Sequence, residues 1–240
     1  IIYNIIIRSK RQKHMEFNLY PKLTKITHLA LFFAMASNIS FAHDVPEPSI
    51  NSGLIIIDDK AFDSLSGANL SIDNNDFSAI FSLTYPVSPS VAFEVAALTG
   101  SEVSAKISNS KSGTLHKKSY STNGALTLKA KRDTSYLAGM KFSTSNNESI
   151  NFYARTGLIF WEIDYSTSGT STLTYNGSTY NSKSFLKVDG SDPYLGFGLS
   201  YKASDNSSLG LDYYTLASTN AIEGAKFDIN GYSLSWSFNF

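Results

Sequence analysis

Two side chains of the kind that transfer acyl groups lie close together in "LHKKSY": His116 and Ser119. A serine nucleophile needs a histidine base, and that histidine needs a carboxylate to hold its tautomer. No acid lies in this stretch. His116 therefore reads as part of a solvated basic loop, and no enzyme activity is expected. Glu162 and Asp164 stand two positions apart, a spacing that puts both on one face of a strand. They read as rim charges rather than as a metal site or a glycosidase pair. Cysteine is absent, which removes thiolate metal centres and disulfides, and there is no phosphate-binding glycine loop. Neither metal nor cofactor is expected. A more informative set is Glu94, Lys141, Arg155 and Asp212. Each sits singly within a run whose apolar residues recur at every second position. Two acids and two bases on the other face of such runs would be costly unless paired, so pairing among them is expected. Such a set serves either as a satisfied polar core or as an ion pathway gated by exchange of partners.

The runs that carry these charges have the period of a β-strand. The chain closes on "GYSLSWSFNF", where Tyr232, Leu234, Trp236, Phe238 and Phe240 alternate with serines and an asparagine. The same alternation marks "DFSAIFSLTY", "SYLAGMKF", "INFYARTGLIF", "PYLGFGLSY" and "SLGLDYY". With "VAFEVAALT" at 91–99 and a weakly patterned first strand around 51–58, the strands number eight. Their connections alternate too. "PVSPS", "STSNNES" and "KASDNS" are short and turn-forming, whereas 59–75, 100–133, 165–190 and 218–228 read as long polar loops.

In the five runs from "DFSAIFSLTY" to "SLGLDYY" one face is uniformly apolar while the other mixes glycine, serine and ionisable groups, too polar for a hydrophobic core. Lipid can solvate the apolar face, and closure removes the unpaired edges that a bilayer does not tolerate. The expected fold is thus all-β, an eight-stranded antiparallel up-and-down transmembrane β-barrel of the outer-membrane kind. A strand tilted by about 45° climbs roughly 2.3 Å per residue, so an apolar band of about 25 Å takes about eleven residues. Counted from Ile150, the band ends near Phe160, and the next outward positions are Glu162 and Asp164. Tyr85, Phe142, Phe152, Tyr201, Phe238 and Phe240 lie beside the short turns or the chain end, as a lipid-facing aromatic girdle would.

Residues 1–42 read as an upstream extension followed by a signal peptide that starts at Met15. Lys22 and Lys25 precede an apolar stretch, and Ser40, Phe41 and Ala42 form the small-residue cleavage site, placing cleavage after Ala42. The barrel domain is then 43–240, with fourteen basic and nineteen acidic side chains. That balance argues against a nucleic-acid partner. Within it, Lys111, Lys117, Lys118, Lys129, Lys131 and Arg132 cluster in the second long loop. Contact with lipopolysaccharide phosphates or another anionic surface partner is the chemistry they suit.

From about residue 50 onward the chain resembles the OmpA-like transmembrane domain family. The likeness is carried by "YPVSPSVAFEVAALTG", "INFYARTGLIFW", "DPYLGFGLSYKASDN" and "YSLSWSFNF" in that order. It implies short periplasmic turns, surface-exposed loops, and recognition of the strand ending in Phe240 by the barrel assembly machinery; a monomer in bacterial outer-membrane lipid is expected separately, because no unpaired edge calls for a partner. It also implies charged interior positions linked to gating, matched by Glu94, Lys141 and Arg155, although Ser200 and Gly210 stand where the family has a further acid and base. Two functions follow as expectations: a structural, surface-contact barrel acting through its loops, or a small porin-like channel gated by interior charge pairs.

Overall fold

The structure, a computed structural model, describes residues 47–59, 61–62, 65–66, 70–73, 75–144, 149–217 and 228–240, all within the second of two compact units, Asp44–Phe240. The extension and signal peptide expected over 1–42 lie outside the described residues. The strands in chain order are β1 (Ser49–Asp59), β2 (Leu70–Asp73), β3 (Asn75–Ser88), β4 (Val91–Leu98), β5 (Glu102–Ile107), β6 (Ser112–Leu115), β7 (Lys118–Thr122) and β8 (Leu126–Arg132). They continue as β9 (Ser135–Ser143), β10 (Ile150–Ser168), β11 (Leu173–Tyr175), β12 (Ser178–Tyr180), β13 (Ser184–Ser204), β14 (Ser207–Ala217) and β15 (Asp228–Asn239). There is no helix among the described residues.

Eight of these strands form a circuit. β1 pairs with β15 and β3, β3 with β4, β4 with β9, and β9 with β10. β10 then pairs with β13, β13 with β14, and β14 with β15, which returns to β1. Every pairing is antiparallel, and each strand of the circuit is hydrogen-bonded on both sides. This is how backbone polar groups are satisfied where no water can reach them. The outward face of the circuit carries Leu54, Phe81, Leu158, Phe197, Leu211, Leu234 and Trp236, all exposed. An apolar belt of that extent is not stable in water and marks a lipid-facing surface.

Above the belt the structure departs from the expected loops. Much of 100–133 and 165–190 is strand. β10 runs on for eight residues past Phe160, roughly 18 Å at about 2.3 Å per residue. Its upper end pairs with β8, β8 with β5, and β5 with β2, extending the barrel wall upward. A second sheet, in the order β12, β11, β7, β6, completes this crown. The crown has a water-soluble type of core, in which Leu115, Tyr120, Leu128, Ile163, Tyr165, Leu173, Tyr175 and Phe185 are buried together. Serine and threonine fill the exposed positions of these short strands, so their sequence lacks the apolar alternation that announces a lipid-facing strand.

A charge placed on the belt should be costly and one placed on the crown should not. Leu234→Arg is expected to lower unfolding stability by about 2–4 kcal/mol, the scale for a cation near the bilayer centre. Ser121→Arg is expected to change it by less than about 0.5 kcal/mol. Urea titration in phosphatidylcholine vesicles checks both.

Candidate functional site

The alternation that turns Leu158 and Phe160 to lipid turns Tyr153, Arg155, Gly157, Ile159 and Trp161 inward. Arg155 is 4% exposed, and its guanidinium lies between two carboxylates on different strands. Its Nε is 3.2 Å from Glu94 Oε2, and its Nη1 donates to Asp212 Oδ1 at 2.5 Å and also to the Tyr214 hydroxyl. Hydroxyls complete both acids. Tyr153 donates to Asp212 Oδ1 at 2.7 Å, Ser233 and Ser235 donate to Asp212 Oδ2, and Thr84 donates to Glu94 Oε2 at 3.3 Å. Asn51 extends the network by donating to Ser82 and Thr84 and accepting from Ser237. A charge this deeply buried is stable only with its partners in place.

The four charges do not pair symmetrically. Lys141 stands directly across from Arg155 in the β9–β10 register. Like charges in direct opposition repel. Lys141 Nζ instead sits 4.2 Å from the centroid of the Tyr153 ring, a cation–π contact.

Inward glycines make room for the rings. A Cβ on Gly198 would come within 2.4 Å of Tyr153 Cε2, and one on Gly157 within 2.8 Å of Tyr194 Cε1. The glycines of "PYLGFGLSY" thus mark where tyrosines cross the lumen. Tyr153, Tyr194 and Tyr214 escaped the sequence reading because an inward tyrosine resembles any other residue of the polar face. A pair of inward glycines on the neighbouring strand was the available signal.

Below the network the lumen opens as a polar cavity of about 220 Å³ lined by Asn51, Thr84, Lys141, Asn151, Ser200 and Ser237 among others. Above it the inner face changes character. Ile55, Ile57, Ile80, Leu98, Leu137 and Ile159 are buried there and belong to one apolar cluster continuous with the crown core. Trp161 caps this layer and donates from Nε1 to the buried Asp192 at 2.6 Å. The inner face is therefore continuously polar in its lower part only, and above it Ser78, Asp192 and the Arg132–Asp59 pair are set among apolar side chains, a correction to the expectation of a continuous small-and-charged lining. Eight strands enclose a space that side chains can fill, and here isoleucine, leucine and tryptophan fill it.

Of the expected girdle, Phe142, Phe152, Tyr201, Phe238 and Phe240 are exposed on the outer face, and Tyr85 is half-buried there. Glu162 also lies outward, 2.6 Å from Lys187, and Asp164 accepts from Ser184. The expected basic patch is divided. Lys117 and Lys131 are exposed, Lys111 and Lys118 are half-buried, and Lys129 pairs with Glu102 at 2.6 Å. Arg132 cannot serve as a surface contact. It shares the inward face of Leu126, Leu128 and Ala130, is 1% exposed, and pairs with the buried Asp59. His116 likewise leaves the solvated loop assigned to it. It occupies the β6–β7 turn with φ of 50°, is buried, and meets the Tyr165 ring edge-on at 5.0 Å. Burial pushes its imidazole down to about 4. Among the described residues no cluster of His, Cys, Asp or Glu could hold a metal.

No family model matches the chain, and no curated protein matches it in sequence. Solved structures of small outer-membrane barrels are similar in architecture. OprG from Pseudomonas aeruginosa is 12% identical, with 83% of this chain and 98% of that chain covered and a TM-score of 0.48. Neisserial surface protein A is 13% identical over 80% and 97%, with a TM-score of 0.46. Ail of Yersinia pestis, solved with the heparin analogue sucrose octasulfate, is 13% identical over 81% and 99%, with a TM-score of 0.45.

Two outcomes follow from this geometry. Removing Arg155 strands two buried acids, so Arg155→Leu is expected to cost about 3–5 kcal/mol in denaturant unfolding. His116 is held neutral in the fold, so the unfolded chain binds more protons between pH 6.5 and about 4. Crown stability is expected to be full above pH 6.5 and to fall as the pH drops through that window. Limited proteolysis of the β6–β7 hairpin at pH 7 and pH 4.5 reads this out, and His116→Phe should flatten the difference.

Proposed function

We propose that this protein is an outer-membrane barrel that works as a sealed anchor, holding a rigid crown at the cell surface for contact with other molecules. The observation that carries this reading is the apolar layer from Ile55 to Trp161 above the charge network. An ion entering the polar lower cavity meets buried hydrocarbon, and exchanging partners among Glu94, Arg155 and Asp212 would open no route through it. The network is then a satisfied polar core that fixes the lower barrel. The crown is stiff because it has its own core and its strands continue those of the wall, which suits a surface presented for contact. The remaining parts of this reading are export through the signal peptide cleaved after Ala42, assembly through the closing strand and its Phe240, a monomeric state, and no catalytic activity.

Single-channel recording from the protein inserted in a planar bilayer tests the reading. No discrete current steps are expected, either from the wild type or from Glu94→Ala. Steps whose size or open time changes in Glu94→Ala would replace the anchor with a channel gated by its interior charges.

A further inference from the structure

Basic side chains are unevenly distributed along 43–240. Nine of the fourteen fall in 103–132 and 165–188, two stretches without a single Asp or Glu. These stretches build most of the crown. Among the described residues, the acids that pair with it do so at its base, where Asp59 meets Arg132, Glu102 meets Lys129 and Glu162 meets Lys187. Lys111, Lys117 and Lys183 belong to the second sheet instead. They lie just before β6, in the β6–β7 turn, and shortly after β12, at that sheet's margins.

The outward face of the second sheet is lined with hydroxyls. Ser112, Ser121, Thr174 and Thr179 stand side by side in register across β6, β7, β11 and β12, and Thr114 beside Ser119 adds a second row. Leu115, Tyr120, Leu173 and Tyr175 point the other way, into the core. Neighbouring strands lie about 4.8 Å apart, so the row offers a hydroxyl at each such interval, with Thr174 and Thr179 bonded to each other at 3.2 Å and still able to accept. A ladder of hydroxyls bounded by ammonium groups suits a ligand that hydrogen-bonds along its length and is strongly negative. A neutral glycan would leave the lysines unused, and a small anion would leave most of the ladder unused.

We propose that this face docks a polyanionic polysaccharide, sulfated or phosphorylated, presented from outside the cell. The proposal rests on the reading of the protein as a surface anchor and names the chemistry of its partner. The membrane's own phosphates are a poorer fit. They lie near the edge of the apolar belt, where Glu102, Lys131, Asp164 and Lys187 alternate in sign across β5, β8, β10 and β13. That row compensates itself, whereas the charge of the distal sheet is all of one sign.

The test uses the full chain in phosphatidylcholine vesicles, with dextran sulfate and uncharged dextran as probes. Dextran sulfate is expected to bind, with an affinity that falls steeply as salt rises, and dextran is not. The triple variant Lys111→Gln, Lys117→Gln, Lys183→Gln should lose at least about tenfold in affinity, the scale for removing several exposed charges from one polyanion site. Ser121→Val with Thr174→Val should lose several-fold at unchanged charge, and this separates a built face from a mere basic patch. Lys131→Gln with Lys187→Gln should stay within about twofold, because those lysines are compensated. Retained gel mobility of unboiled samples shows that each variant is folded. Equal binding of both dextrans, an unaffected triple variant, an unaffected hydroxyl variant, or a loss confined to the Lys131 and Lys187 pair would each overturn the proposal. Current steps in the planar bilayer would overturn the anchor reading instead, whatever dextran sulfate does.

Discussion

The pairing of β10 with β13 closes the circuit, and the other features of the barrel depend on that closure. The two strands stay in register from Ile150 opposite Tyr201 to Tyr165 opposite Leu186, well past the apolar belt. Without this seam, β10 and β13 would each present an unpaired edge to lipid, which costs several kcal/mol per exposed polar group. With it, the inner faces of eight strands are forced to share one narrow space. What they place there decides whether the barrel conducts.

The shared space is divided by height. In the lower part, Arg155 bridges Glu94 and Asp212 while tyrosines from β10, β13 and β14 lie across inward glycines. In the upper part, isoleucine and leucine side chains meet and merge with the core of the crown. The two layers stabilise differently. The polar layer depends on every partner being present, whereas the apolar layer depends on area removed from water and tolerates small changes of shape. Between them they turn a tube into a filled column that is continuous with the core of the crown. In this way the packing of the interior and the core of the crown are parts of one arrangement.

The outer face was legible in the sequence because lipid makes the same demand at every second position. Phe81, Phe152, Leu211 and Leu234 announce themselves by alternation alone, whereas Leu54 is hidden in the apolar run of the weakly patterned first strand. The inner face obeys no such rule. Ile80 and Leu137 look like exceptions among polar neighbours until the strands are brought together and they meet other apolar residues. Glu94, Arg155 and Asp212 were legible as inward charges, but the turning of Lys141 towards Tyr153 depends on the cross-strand register. Arg132 was obscured by a one-residue irregularity. β9 faces its odd-numbered residues inward, but past Asp133 and Thr134 it is the even-numbered residues of β8 that point in, and this separates Arg132 from Lys131. The crown was illegible for a further reason. Its strands are short and rich in serine, threonine and lysine, and their apolar partners lie far away in sequence.

Because the chain contains no cysteine, single introduced thiols can report on the lumen without background. The most direct test of the divided interior compares Ser200→Cys, in the lower cavity, with Ile159→Cys, in the apolar layer, using a membrane-impermeant maleimide applied to each side of reconstituted vesicles. The thiol at 200 should react from the cavity side, and the thiol at 159 should resist reagent from both sides until the protein is unfolded. Rapid labelling at 159 in the folded protein would mean that water crosses the layer, and the account of a sealed barrel would be wrong.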